Sequence, residues 1–255
     1  MITSVSNEQI KKIIQLKEKA KVRRATGTFV VEGIKMFCEI PKGELVATYV
    51  SETFEKENIR LLKDVSYQTV SDSVFKKISD TVTPQGILSV VKQKSYSVDD
   101  IIAGRKKDKS CIVVLDRLQD PGNLGTIVRT GEGAGISGII MSSDCADIYN
   151  PKVIRSTMGS VFRVPFAITQ DLPQAVELLK HHGIVTYAAH LKGELYSSGV
   201  LANDCALLIG NEARGLSDAV ADKADRRIKI PMEGKVESLN AAVATAILMY
   251  EAART

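Results

Sequence analysis

The stretch formed by residues 206–249 restricts the fold of this chain more than any other. It begins with an apolar run at 206–209 that predicts a buried strand, followed by a loop with two glycines, one carboxylate and one guanidinium. A second short strand is predicted at 227–230, and its loop leads into a helix for which Ser238 is the expected N-cap. If the two strands are parallel neighbours, both strand ends and the helix start converge on one cleft, because open α/β sheets bind ligands beyond the carboxyl ends of their strands.

The same stretch carries three short runs in a fixed order: GNEARGL at 210–216, IPM at 230–232 and SLNAA at 238–242. This order resembles motifs two and three of the SPOUT RNA methyltransferases, in the SpoU or TrmH class that methylates ribose 2′-hydroxyls. The resemblance implies that the chain end is threaded through a loop in a deep trefoil knot, a topology that general rules would exclude. It also implies S-adenosylmethionine as the cofactor, held in the knot mainly by backbone groups.

The fold implied by the resemblance is α/β. We expect a C-terminal trefoil-knotted SPOUT methyltransferase domain, built on a mostly parallel sheet with helices on both faces and preceded by a small α/β RNA-binding domain. The expected boundaries are 1–95 for the RNA substrate-binding domain, 96–109 for a polar linker and 110–255 for the methyltransferase domain. Members of this family pair through the knotted domain. The small-residue face of the helix at 239–253 is compatible with a homodimer of this kind.

A third motif, DPGNLGTIVRT at 120–130, follows the apolar run 111–115, which is typical of a strand buried on both faces. Asn123 is a candidate helix cap, and Arg129 points away from the apolar stripe of the predicted helix. The run resembles motif one of the family, in which the asparagine and the arginine line the RNA side of the active site. Relatives more often have alanine where this chain has Gly131 and Gly133, and we expect these glycines to loosen the helix end.

The resemblance also assigns residues to the site. The implied cofactor contacts, made mainly through the backbone, are Gly210, Ile230 and Leu239. The polar residues implied on the ribose side, as the catalytic set, are Arg129, Asn123, Glu212, Ser238 and Asn240. Glu212 could instead brace its loop by pairing with Arg129 or Arg214, or it could orient Arg129. Because a guanidinium does not readily give up its proton, we expect Arg129 to hold a phosphate and stabilise the forming alkoxide rather than accept a proton.

The N-terminal part of the chain carries the positive surplus. Residues 1–95 contain 16 Lys and Arg against 11 Asp and Glu, whereas residues 111–255 contain 14 against 16. Residues 6–20 predict a basic amphipathic helix, and a basic tail with Arg23 and Arg24 follows it. Such charge runs are usually solvated surface. The order KVRR, then GTFVVEG, resembles the start of the substrate-binding domain of many SpoU-class enzymes, which favours both arginines as RNA-phosphate contacts.

A second basic segment lies at 150–159, with the sequence NPKVIRSTMG. Asn150 is placed to cap a helix that puts Lys152 and Arg155 on one face. A similar stretch lies near the active site in the family, so an RNA-binding role is favoured over a merely solvated face.

Several other functions are disfavoured. The match to G-x-G-x-x-G at 133–138 leads from a helix into a strand, the reverse of the order that a dinucleotide site needs. The four cysteines and three histidines form no metal-ligand pattern, so no metal is expected, and we expect the cysteines to be small buried residues in a reducing compartment. No apolar run approaches about 20 residues, and the N-terminus does not resemble a signal peptide, which together predict a cytoplasmic protein without a membrane span.

The resemblance therefore predicts methyl transfer from S-adenosylmethionine to a ribose 2′-hydroxyl of RNA, with 23S ribosomal RNA as the expected substrate. The ordered N-terminal domain favours ribosomal RNA, because tRNA enzymes of the family more often use basic terminal extensions. Two alternatives remain: a tRNA enzyme with the same chemistry, and a non-catalytic RNA-binding factor of ribosome assembly. The second would be expected to have lost the polar site residues, which this chain keeps.

Overall fold

The computed structural model describes residues 1–106, 109–196 and 199–254. The described chain forms two compact units, and the first consists of Met1–Lys94 and Asp147–Phe162. The second consists of Ser95–Ala146 and the described residues from Arg163 onward.

The helices and strands are numbered here in chain order. The helices are α1 Glu8–Glu18, α2 Ala20–Thr26, α3 Ile34–Cys38, α4 Glu52–Glu57, α5 Asp72–Ile78, α6 Val98–Ala103, α7 Pro121–Ala134, α8 Pro151–Thr157, α9 Leu172–His181, α10 Asp218–Ala221 and α11 Ala241–Arg254. The strands are β1 Thr28–Glu32, β2 Leu45–Ser51, β3 Gln68–Val70, β4 Ile87–Lys92, β5 Ser110–Leu115, β6 Gly138–Ser142, β7 Phe166–Thr169, β8 Val185–Leu195, β9 Asp204–Ile209 and β10 Arg226–Lys229.

The first unit is built on a mixed four-stranded sheet in the order β1-β4-β2-β3. Successive side chains of its strands lie in two different apolar clusters, because they point to opposite faces of the sheet. Leu88 and Tyr49 lie in the cluster with the apolar faces of α1 and α5. Ile87 and Val50 lie in the other cluster, beside α4. The predicted amphipathic helix is thereby confirmed as α1, whose residues Ile10, Ile13 and Leu16 are buried.

Residues 147–162 pack with the first unit, although the predicted methyltransferase domain at 110–255 included them. Asn150 caps α8 as predicted, since its Oδ1 accepts from the backbone N–H of Lys152 at 2.9 Å. The ring of Phe29 in β1 lies 4.5 Å from that of Tyr149 and 6.2 Å from that of Phe162, measured between centroids. Aromatic packing between residues far apart in sequence thus joins this segment to the first unit.

The second unit is built on a six-stranded sheet in the order β10-β8-β9-β5-β6-β7, with every neighbouring pair parallel. The central strands are buried on both faces, as the apolar runs 111–115 and 206–209 predict. Ile112 and Val114 of β5 pack in one cluster with α6 and α9. Helices α7 and α11 pack against each other, and α11 also packs against β5 and β9. The predicted parallel sheet with helices on both faces is therefore confirmed.

The structure corrects the predicted linker. The described part of 96–109 contains α6, which begins in a capping box: Ser97 Oγ accepts from the N–H of Asp100 at 3.1 Å, and Asp100 Oδ2 accepts from the N–H of Ser97 at 2.8 Å. Ile101 and Ile102 are buried in the core of the second unit. The acidic pair 99–100 belongs to the first turn of a helix, where negative charge is favourable, rather than to a solvated connection.

Helix α7 corrects a second expectation, that two glycines loosen its end. The helix continues to Ala134 and ends at Gly135, which has a positive φ of 74°. A Cβ at Gly131 would lie 2.4 Å from Ile136 Cδ1, so this glycine allows close packing of the buried isoleucine. The chain then enters β6, which confirms the helix-to-strand order that argues against a dinucleotide site at 133–138.

Candidate active site

Three chain segments meet at the carboxyl edge of the parallel sheet. They follow β5, β9 and β10, and the last of them leads into α11. The two strands of the C-terminal motif stretch, β9 and β10, are parallel but not neighbours, because β8 lies between them. Both of their loops still line one cleft of about 590 Å³. The cleft is therefore predicted correctly, although the strand adjacency on which the prediction depended is not.

The cleft contains the three residues expected to contact a cofactor, Gly210, Ile230 and Leu239, and its wall also includes Glu212 and Ser238. Apolar side chains form much of the remaining surface, including Leu216, Met232 and Leu248. A volume of this size is typical of small-molecule sites, which are mostly apolar with a few polar groups.

The loop after β9 is closed on itself and carries its backbone groups at the cleft. The N–H of Asn211 donates to the carbonyl of Gly215 at 3.0 Å, and the N–H of Gly215 donates back to the carbonyl of Asn211 at 2.8 Å. A Cβ at Gly210 would lie 2.1 Å from the carbonyl carbon of Gly215 and from the nitrogen of Leu216. Only glycine fits at position 210 while the loop keeps this conformation.

Asp116 and Arg117, which directly follow β5, hold this loop in place and were missed by the sequence analysis. Asp116 is buried, and its Oδ2 accepts from both the N–H and the hydroxyl of Ser217 at 2.7 Å. Arg117 has a positive φ of 56°, which is uncommon for a residue with a side chain. Its carbonyl accepts from Asn211 Nδ2 at 2.9 Å. An acidic residue directly after the apolar run 111–115 was the available signal.

A polar cluster joins one residue from each of the three motifs. Asn123 Nδ2 donates to Glu212 Oε1 at 3.0 Å, and Asn240 Nδ2 donates to Asn123 Oδ1 at 2.9 Å. Asn123 is not the cap of α7, because Asp120 Oδ1 accepts from the N–H of Asn123 at 2.7 Å. With the cap supplied by Asp120, both amide atoms of Asn123 are available to the cluster.

Glu212 braces its loop through Asn123 and the chain after β5. Its carboxylate accepts from the N–H of Asp120 at 3.3 Å and that of Gln119 at 3.5 Å, and no ion pair with Arg129 or Arg214 is found among the described residues. Burial raises the pKa of Glu212, but hydrogen bonds from the Asn123 side chain and from backbone N–H groups outweigh that effect and lower the pKa below its usual value. The carboxylate is therefore ionised at neutral pH.

Asn240, rather than Ser238, begins the last helix. Its Oδ1 accepts from the N–H of Ala242 at 2.9 Å and that of Val243 at 3.2 Å, and α11 starts at Ala241. Ser238 lies in the preceding loop, exposed at the cleft. The predicted cap is therefore wrong by two residues, because the asparagine can serve the helix and Asn123 at once.

Comparison with known proteins matches both units to described families. The model of the SpoU rRNA Methylase family matches residues 110–250, and that of the MRM3-like substrate binding domain matches residues 7–89. The chain belongs to the SpoU rRNA methylase family. A full-length SpoU-class relative is the 23S rRNA (guanosine(2553)-2′-O)-methyltransferase RlmP of Bacillus subtilis (strain 168), which is 34% identical over 98% of this chain and 97% of its own length.

Solved structures of the same class have the same fold. An AdoMet-bound rRNA methyltransferase from Sinorhizobium meliloti has a TM-score of 0.85 and 31% identity, covering 99% of this chain and 97% of its own. The SpoU methyltransferase AviRb from Streptomyces viridochromogenes, in complex with the cofactor AdoMet, has a TM-score of 0.86 and 26% identity, covering 97% and 98%. The α/β SPOUT fold predicted from the motif order is therefore confirmed.

Arg129, the arginine of the first SpoU motif, lies on the solvent side of α7. Leu124, Ile127 and Val128 are buried beneath the helix, whereas Arg129 is exposed. Its side chain has no hydrogen bond or ion pair within the described part of the chain. The predicted orientation away from the core is thus confirmed, and its catalytic role stays a prediction.

The predicted RNA contacts of this SpoU family member all lie in the first unit, and the structure corrects one of them. Arg23 is only 2% exposed. Its guanidinium donates to the carbonyl of Leu16 at 2.7 Å and lies 2.5 Å from Asp147 Oδ2. It therefore stabilises the unit and is not available to a phosphate. Arg24, Lys152 and Arg155 are exposed and stay candidates.

Other predictions concern groups outside the site. Over the described residues, no group of three or more His, Cys, Asp or Glu is arranged to hold a metal ion. Nor does any helix of this SpoU protein, within the same residues, have the length and apolar character needed to cross a bilayer. The cysteines are free, but Cys38 is exposed, so the expectation that all four are buried is wrong.

Proposed function

We propose that this protein transfers a methyl group from S-adenosylmethionine to a ribose 2′-hydroxyl of 23S ribosomal RNA. The observation that carries the proposal is the cluster of Asn123, Glu212 and Asn240, which brings all three motifs together beside a cleft of about 590 Å³. Membership of the SpoU rRNA methylase family and the full-length relation to a 23S rRNA 2′-O-methyltransferase support it.

The cleft suits S-adenosylmethionine in volume and in the chemistry of its lining residues. Leu216, Met232 and Leu248 supply apolar surface for a purine ring, and the closed loop after β9 supplies backbone donors and acceptors. Gly210, Ile230 and Leu239 would hold the molecule mainly through their backbones. When bound, it supplies an electrophilic methyl group.

Positioning is the main task of the protein in this reaction. Holding two reactants in line lowers the barrier by as much as about 7 to 11 kcal/mol, whereas a positioned base raises the rate by about 10² to 10⁴. Glu212 is a weak base because its pKa is lowered, so we assign it to holding Asn123 and the loop in place. Arg129 holds a phosphate of the RNA and stabilises the negative charge that forms on the ribose oxygen. Ser238 and Asn240 complete the polar side of the site.

Ribosomal RNA is favoured over tRNA by the substrate-binding domain at 7–89 and by the relative that matches along the whole chain. A non-catalytic assembly factor is disfavoured, because the polar cluster is complete. A protein that acts on ribosomal RNA belongs in the cytoplasm, which is the compartment we propose.

We further propose that the protein is a homodimer that pairs through the C-terminal part of the second unit, and that this part is knotted. The face of α11 that does not enter the core is apolar: Val243 is 49% exposed and Tyr250 is 52% exposed. The remaining face of the helix packs against α7, β5 and β9. Single exposed apolar residues are ordinary, but two of them two turns apart on one helix suit a partner helix.

The test of the function is methyl transfer. The purified protein is incubated with methyl-labelled S-adenosylmethionine and total RNA from cells that lack this modification, and the label is mapped. We expect label on a ribose of large-subunit RNA. Label confined to tRNA would support the tRNA alternative, and absence of transfer to free RNA and to ribosomal particles alike would support an assembly factor.

A further inference from the structure

A second cleft, of about 530 Å³, lies entirely within the first unit. It is bordered by α1, by the end of α5 and by α8. Four of its lining residues are cationic and two are acidic, and these are Lys17, Lys77, Lys152, Arg155, Glu18 and Asp80. The cleft therefore carries a net positive charge of two. Lys152 and Arg155 supply this surplus, because the two cations and two acids from residues 1–95 balance.

The charged groups of this cleft have a fixed arrangement around one carboxylate. Lys17 Nζ lies 2.9 Å from Asp80 Oδ1, and Arg155 Nη1 lies 3.2 Å from Asp80 Oδ2. The Lys17 side chain is 9% exposed and also donates to the carbonyl of Ile78. Lys77 is exposed and has no hydrogen bond or ion pair with any described residue. The Asp80 carboxylate thus fixes the positions of Lys17 and Arg155, whereas Lys77 points to solvent.

Apolar groups line the same cleft. Val5, Ile14 and Pro151 contribute to its wall beside the cations. A site with cations next to apolar surface suits one nucleotide of a single strand, because the phosphate is strongly charged and the ribose and base are not.

We propose that this cleft binds a backbone phosphate of the substrate RNA, with Lys77 and Arg155 as the main contacts and Lys17 as a buried support. The inference rests on the proposed function, because that function makes RNA the substrate. The cleft supplies the phosphate contact that the sequence had assigned to Arg23, whose guanidinium is bound inside the unit. Its cations are far apart in the sequence. Lys17, Lys77 and Arg155 lie on three different helical segments, and only the fold gathers them.

Asp80 acts in this site as an internal competitor of the phosphate. Its carboxylate neutralises part of the charge of Arg155 and repels an incoming anion at the same position. Removing that charge should strengthen RNA binding, whereas removing a cation should weaken it. The two substitutions should therefore change RNA affinity in opposite directions. If the cluster only stabilised the fold, both would weaken binding.

The first experiment measures binding of a fragment of large-subunit ribosomal RNA over a range of salt concentrations. We expect Lys77→Gln and Arg155→Gln each to weaken binding several-fold and to lower the slope of log K against log salt by about 0.7 to 0.9. Lys63→Gln is the matched control, since Lys63 is exposed, lies outside the cleft and adjoins Leu62 in the cluster beside α4. It should bind as the wild type does.

The second experiment uses Asp80→Asn and separates binding from chemistry. We expect Asp80→Asn to bind RNA more tightly than the wild type does. We expect Lys77→Gln to have a higher KM for RNA and an unchanged kcat. If the wild-type protein transfers methyl groups and both Lys77→Gln and Arg155→Gln bind RNA as tightly as it does, the inference is overturned and the proposed function stands. Equal weakening by Asp80→Asn and Lys77→Gln would also overturn it. A wild type that binds RNA through these residues but transfers no methyl group would instead contradict the proposed function.

Discussion

Asn123 shows how much one side chain can organise in this protein. Its carbonyl oxygen accepts from Asn240 and its amide nitrogen donates to Glu212, so it joins the chain after β5, the loop after β9 and the start of α11. The motif resemblance placed the residue on the RNA side of the site, and the sequence also offered it as a helix cap. The actual cap, Asp120, could not be distinguished from it, because both residue types are favoured at that position.

Arg129 gives the first prediction at the scale of a single residue. Arg129→Ala should lower kcat by about 10² or more, because it removes a charge that stabilises the reacting oxygen. The affinity for S-adenosylmethionine should stay within a few-fold, because Arg129 does not line the cleft. Single-turnover kinetics and calorimetry measure the two quantities. Arg227→Ala, which removes an exposed arginine paired with Asp222, is the control. Loss of cofactor binding in a folded Arg129→Ala variant would contradict this assignment.

Glu212 gives a prediction about pH. Its folded-state pKa lies below its ordinary value of 4.5, so the carboxylate contributes stability above that value and loses it as the pH falls through the folded-state pKa. The free energy of unfolding of the wild type minus that of Glu212→Gln should be constant near neutral pH and should shrink as the pH falls below 4.5. Urea unfolding over a pH series measures it. A difference that grows on acidification would show that the pKa is raised instead.

At the scale of elements, α2 separates two adjacent arginines that look alike in the sequence. Arg23 points into the unit and meets Asp147 and two carbonyls, whereas Arg24 points to solvent. The segment is short, so its sequence has too little periodicity to show which side is buried. The orientation is decided by packing against α1 and by the segment 147–162.

The pair predicts opposite phenotypes for two neighbouring substitutions. Arg23→Ala should destabilise the protein by about 3 kcal/mol or more, because it leaves Asp147 without its buried partner. Arg24→Ala should change stability by no more than about 0.5 kcal/mol and should lower the salt slope of RNA binding by about 0.9. Urea unfolding and binding at several salt concentrations test both. Equal stability of the two variants would contradict the burial of Arg23.

At the scale of the whole molecule, the exposed face of α11 predicts self-association. Val243→Glu should convert a dimer into a monomer, because it places a charge on the apolar face that we propose as the interface. Light scattering after size-exclusion chromatography measures the mass. Val82→Glu introduces the same charge at a residue that is 98% exposed in the first unit and should leave the mass unchanged. A wild type that is monomeric at every concentration would contradict the proposal.

The sequence by itself determined the class of the protein and the parts of its site. Apolar runs such as 111–115 predict the buried parallel strands, and the order of the three motifs identifies the family. Both features are visible in the sequence because each run and each motif is a short continuous stretch of chain. For the same reason, the capped helix α8 and the amphipathic helix α1 were predicted within a few residues.

Only the tertiary structure decided which of these parts meet. The partners of Glu212, the burial of Arg23 and the gathering of Lys17, Lys77 and Arg155 depend on segments that are distant in the sequence. The hydrogen bonds from Lys17 to Ile78 and from Arg23 to Asp147, for example, join residues 61 and 124 positions apart. The membership of 147–162 in the first unit has the same origin. Periodicity reports only which side of an element is apolar. Which element covers that side is set by packing between distant segments, and it therefore appears only when the chain is folded.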